Sequence, residues 1–83
     1  MRKGKENMLR LNYRVGSEIV SKIFDTVDEG FEFALANIVN QGDRDYYKEC
    51  CGLTFEDIRG ESDNLKVCVL KNALENVVFV CEE

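Results

Sequence analysis

Along residues 9–15, "LRLNYRV", apolar and polar side chains alternate: Leu9, Leu11, Tyr13 and Val15 fall on one face, Arg10, Asn12 and Arg14 on the other. A period of two is the mark of a strand with one face turned to a core. Gly16-Ser17 follows, a glycine-first pair suited to a two-residue type II′ hairpin turn, and "EIVSKIF" then returns antiparallel. That register sets Tyr13 opposite Val20 and Leu9 opposite Phe24, so apolar meets apolar across the pair. Ile19, Val20, Ile23, Phe24 and Val27 also fit helical spacing, which leaves residues 18–24 with a competing helical reading; the strand is preferred.

After Phe24 the period lengthens. "TVDE" reads as a capping box in which Thr26 accepts from the Glu29 amide and Glu29 reaches back. Behind it Val27, Phe31, Ala34, Leu35 and Ile38 recur at helical spacing, predicting an amphipathic helix to about Gln41. Gly30 weakens that helix by up to ~1 kcal/mol relative to Ala, and Gly42 is expected to end it. Asp43 is then expected to cap a shorter second helix through Cys51, with Gly52 as its stop. On that helix Tyr46, Tyr47, Cys50 and Cys51 lie three to four positions apart and form one apolar edge.

"LTFEDIRGESDN" reads as a connector with one helical turn, capped by Thr54 and anchored by Phe55 and Ile58. "LKVCVLK" and "NVVFVCE" are rich in β-branched residues and are predicted to form a second hairpin. A loop centred on Leu74 and Glu75 would put Cys68 opposite Cys81. The expected fold is therefore α+β, in the order β-β-α-α-β-β. Two hairpins form one four-stranded antiparallel sheet with one main helix and a short second helix. A single domain covers residues 8–83, and 1–7, "MRKGKEN", form a basic flexible tail. Val67, Val69, Val78 and Val80 on one face of the C-terminal hairpin, with Leu70, Val77 and Phe79 on the other, leave both faces apolar. Weak homodimerisation through the sheet is expected to cover one of them.

The chain has 83 residues, four cysteines, and no histidine, proline or tryptophan. At that size about 60% of the surface of the unfolded chain is buried, so the core is thin. No apolar run approaches the ~20 residues of a membrane span, and the basic start lacks the apolar stretch of a secretory signal. The expectation is a cytoplasmic protein with reduced thiols. Cys50 and Cys51 are adjacent, pointing about 100° apart on a helix, and no C-x-x-C spacing is present. Neither a metal nor a cofactor is expected. Hydrolysis of the serine or cysteine type lacks its histidine, no glycine-rich phosphate loop is present, and an enzyme is not expected. A thiol-based redox sensor using Cys50, Cys51, Cys68 or Cys81 is one rival reading; a structural subunit self-associating through its sheet is another.

Charge carries the functional expectation. Residues 25–63 hold eleven acids against three bases, whereas residues 2–6 are basic. An acidic centre argues against direct contact with nucleic-acid phosphates, which needs a positive face. The expected function is that of a small protein-binding module whose acidic surface engages a basic partner. The candidate contacts are Glu29, Glu32, Phe33, Asn37, Asn40, Asp43, Asp45, Glu49, Glu56 and Asp57. Phe33 stands out because it faces nearly opposite the Phe31/Leu35/Ile38 stripe, either covered by the second helix or the connector, or exposed as an aromatic anchor. In size and acidity the chain resembles the small inhibitors encoded by phages and mobile elements, anti-CRISPR and DNA-mimic proteins among them. That resemblance, which rests on charge and length, implies a nucleic-acid-handling protein as partner.

Overall fold

The computed structural model describes residues 8–82; the basic tail expected over residues 1–7 lies outside them. Strand β1 (Leu9–Val15) runs down the middle of a three-stranded antiparallel sheet of order β2-β1-β3, with β2 at Glu18–Phe24 and β3 at Val77–Glu82. The first hairpin has the expected register, Leu9 opposite Phe24 and Tyr13 opposite Val20. Gly16 takes φ 63° at the turn, a conformation that a residue without Cβ enters without strain. On its other edge β1 pairs with β3, and a bulge at Asn12/Tyr13 pushes Val78 out of the ladder.

Helix α1 (Val27–Asn37) starts where expected, with Thr26 Oγ1 accepting from Glu29 N at 3.1 Å. It ends about four residues before the expected Gln41. Asn40 opens α2 (Gln41–Cys51) with a capping box: its side chain accepts from Asp43 N at 2.7 Å, and Asp43 Oδ2 accepts from Asn40 N at 3.2 Å. Gly42 therefore sits in the first turn of α2 instead of ending α1, and Asp43 is the third residue of the helix instead of its cap. Gly52 closes α2 at φ 76°, donating to Lys48 O. A 3₁₀ segment, η1 (Phe55–Gly60), matches the expected turn, with Thr54 as its cap and Phe55 and Ile58 buried.

The main correction falls on residues 65–71. They form helix α3 (Asp63–Asn72), not a strand, so the sheet has three strands rather than four. Ser62 caps α3 by accepting from Leu65 N, and Lys66, Val69 and Leu70 at i, i+3 and i+4 face inward. A capped helical period outweighs the β preference of Val67 and Val69, a preference that depends on having a strand partner. β3 finds that partner in β1, and the proposed opposition of Cys68 and Cys81 disappears.

Helices α1 and α3 cover one face of the sheet. Leu9, Leu11, Val77 and Val80 from the sheet meet Val27, Phe31, Ala34 and Leu35 of α1, Val69 and Leu70 of α3, and Phe55 and Ile58 of η1. Gly30 owes its place to this contact, since a Cβ there would run into Leu9 Cδ2 and lie 3.2 Å from Phe24 Cδ1. The glycine that weakens the helix is what lets it lie close on β1.

Candidate partner-binding surface

Two arginine bridges join α1, α2 and η1. Arg59 of η1 reaches Glu32 of α1 with two bonds, Nε to Oε2 at 2.8 Å and Nη2 to Oε1 at 2.9 Å. Arg44 of α2 reaches Glu56 of η1 at 2.6 Å and also donates to the Leu35 carbonyl at 3.4 Å. A third ion pair joins the buried Lys66 ammonium of α3 to Asp28 of α1, with the same ammonium 5.9 Å from the Phe31 ring. The two-bond fork of Arg59 on Glu32 holds η1 and α1 in register as well as attracting them.

Arg44 beside Glu56 holds that carboxyl below its usual range, and the Thr54 amide does the same for Asp57. The Arg59 guanidinium is shifted upward by Glu32. Since the segment holds eleven acids and three bases, pairing leaves most of its carboxylates uncompensated. Glu29, Asp45 and Glu49 are all exposed, Asp45 accepting from Gln41 Nε2 at 3.0 Å.

The ten expected contacts divide accordingly. Glu29, Glu32, Asp45, Glu49, Glu56 and Asp57 lie on the outside. Asn37 is exposed and donates to the Phe33 carbonyl at 3.1 Å, while Asn40 is the cap of α2. Asp43 is buried: one oxygen takes part in the capping box and the other accepts from Glu75 N at 3.2 Å. It ties α2 to the turn before β3 and leaves the list of surface contacts. Phe33 is half-buried against the hairpin, not against α2 or η1, with ring centroids 5.7 Å from Tyr13 and 5.2 Å from Phe24 and Lys22 Nζ over its face at 5.5 Å.

The cysteines are free and exposed. Cys50, Cys51 and Cys68 line a groove of about 280 Å³ between α2 and α3 with Tyr46 and Tyr47. The hydrogen bond between Tyr46 and Cys50 raises the Tyr46 hydroxyl above its ordinary value, and burial does the same for Tyr47, which stacks on Phe55 at 4.9 Å. Among the described residues no group of three or more metal-ligating side chains is placed to share an ion, and no helix is long and apolar enough to cross a membrane.

Two sets of residues escaped the sequence reading. Arg44 and Arg59 looked like scattered bases, and nothing local signals partners 12 and 27 positions away. The exposed Ile19 and Ile23 escaped it too, although the hairpin register itself assigns them to the face away from Leu9 and Leu11. Compared with known proteins, the chain matches no family model, no curated protein and no solved structure.

Proposed function

We propose that this chain is a small protein-binding module without catalytic activity, whose acidic surface on α1, α2 and η1 engages a basic surface on its partner. The class of partner it fits is a nucleic-acid-handling protein, whose cationic groove accepts carboxylates in place of phosphates. The observation that carries the reading is the pair of bridges Arg59–Glu32 and Arg44–Glu56. They hold three acidic elements in fixed relation, so the charge is displayed on a rigid frame. A preorganised array loses less entropy on binding than a flexible acidic tail and steers the encounter over long range.

The test is capture from a nuclease-treated extract at low salt, followed by competition with duplex DNA. Glu29→Lys combined with Glu49→Lys changes two exposed carboxylates while leaving every bridge in place. The double variant should lose the captured partner mainly through slower association, and both added DNA and added salt should displace it. Capture that is indifferent to salt, to DNA and to the reversals would mean that the acids serve only solubility.

A further inference from the structure

Strand β2 is an edge of the sheet, and the hairpin register shows which of its backbone groups face outward. Val15 and Glu18 flank the two-residue turn as a bonded pair. Glu18, Val20, Lys22 and Phe24 therefore aim their N–H and C=O groups at β1, and Ile19, Ser21 and Ile23 aim theirs away from it. The Arg14 amide fits this alternation, since it turns from β2 and donates to Asn76 O at 2.8 Å. Among the described residues no strand or loop backbone pairs with the outward row of β2. The other edge strand, β3, is bent by the bulge at Val78, a device that discourages further pairing. β2 has seven residues in unbroken register and no proline. Its one lysine does not guard it either, because Lys22 Nζ lies over the Phe33 ring at 5.5 Å on the helical side.

We infer that two copies of the chain join edge to edge through β2, antiparallel about a twofold axis at Ser21. Ile19 of each copy then stands opposite Ile23 of the other, and every outward-facing residue exchanges both backbone bonds with its opposite number. The two isoleucines, 59% and 49% exposed in the single chain, share the outer face with Ser21, so pairing merges them into one apolar patch across the joint. On the helical side Glu18 falls diagonal to Lys22 of the second copy, within reach of an ion pair. Neighbouring registers fit less well. An axis at Val20 sets each Ile19 against a serine, and an axis at Lys22 sets two lysines face to face. The backbone row alone accepts any strand; the isoleucines placed evenly on either side of Ser21 are what single out a second copy. One strand edge makes a small interface, and each chain carries a net charge of −5, so the dimer is weak and comes apart in dilute solution. Salt, which weakens a complex made by the acidic surface, should strengthen this one by screening the repulsion between copies.

Hydrogen exchange of the full chain, read from its amide resonances in dilute and in near-millimolar solution, tests the inference. At high concentration the amides of Ile19, Ser21 and Ile23 should gain protection, while those of Val20 and Lys22, already bonded to β1, should change little. Sedimentation reports the matching rise in mass. Ser21→Lys and Ser21→Glu should each remain monomeric, because like charges then face each other across the axis, and an equimolar mixture of the two should associate. Ser21 is exposed, so neither variant endangers the fold, and far-ultraviolet circular dichroism verifies this. A strict monomer at near-millimolar concentration in high salt would overturn the proposal. So would protection gained elsewhere in the chain, undiminished association of either charged variant alone, or a mixture that stays monomeric. None of these readouts involves the acidic surface, so such a failure leaves the proposed function standing.

Discussion

The two faces of the sheet are built from the same strands by the same alternation, yet they lead different lives. On the inner face Leu9, Leu11, Val77 and Val80 are sealed beneath α1 and α3. On the outer face Ile19, Ile23 and Phe79 remain half exposed around a buried asparagine whose Nδ2 has no hydrogen-bond partner. Charge separates them further: the acids lie on the helical side and the strand arginines on the other. In so small a chain the helices suffice to cover one face only, and the contrast shows which apolar residues stabilise the fold and which remain available to a partner.

The sharpest way to break that contrast is to truncate one residue from each face. Leu11→Ala removes a fully buried side chain beneath the helices and should destabilise by about 2–5 kcal/mol. Ile23→Ala on the open face should stay within about 0.5 kcal/mol of the parent. Urea unfolding of the two variants gives the comparison directly. Similar losses for both would mean that the outer face is covered in solution and that the two faces do not differ in this way.

Next in size is the ion pair beneath the acidic side. Lys66 is buried while Asp28 is mostly exposed. Asp28→Ala leaves a buried ammonium without its counter-charge and should cost about 1–2 kcal/mol. That is less than for a fully buried pair, because water reaches the Asp28 side. Lys66→Met, which keeps the stem against Phe31, should be close to neutral. If Lys66→Met proved the more damaging of the two, the pair would be contributing net stability rather than balancing its own desolvation.

What could be read in advance follows the range of the interactions. Hairpin register, the Thr26 cap, the Gly52 stop and the Thr54 turn are set by residues within a few positions of one another, and all were legible. The Asn40–Asp43 box is equally local, but Gly42 offered a competing stop signal, and so the boundary between α1 and α2 was misplaced. Residues 65–71 failed for another reason. Their β-branched composition and their helical period pointed in opposite directions, and the choice depended on β1 accepting Val77–Glu82 as its third strand. As for the candidate surface, its acids were visible as composition, whereas the bridges to Arg44 and Arg59 and the burial of Asp43 depend on tertiary placement.

Gly30 offers a smaller test of how closely the inner face is packed. On helix propensity alone Gly30→Ala should stabilise by up to ~1 kcal/mol. The new methyl meets Leu9 in a filled core, however, and overpacking of this kind costs about 1–3 kcal/mol. The net expectation is a loss of about 1 kcal/mol, read as a lowered melting temperature. A gain would show that Leu9 can move aside and that the inner face is looser than its burial suggests.

The smallest effect has the opposite sign. Asn12→Val replaces an unpaired buried donor by a β-branched side chain suited to a central strand, and it should stabilise the isolated chain by about 0.5–1 kcal/mol. Urea unfolding of the variant beside the parent reads that gain directly. If Asn12→Val instead lowers stability, the asparagine is satisfied within the chain, and the outer face loses the feature that distinguishes it from an ordinary exposed sheet.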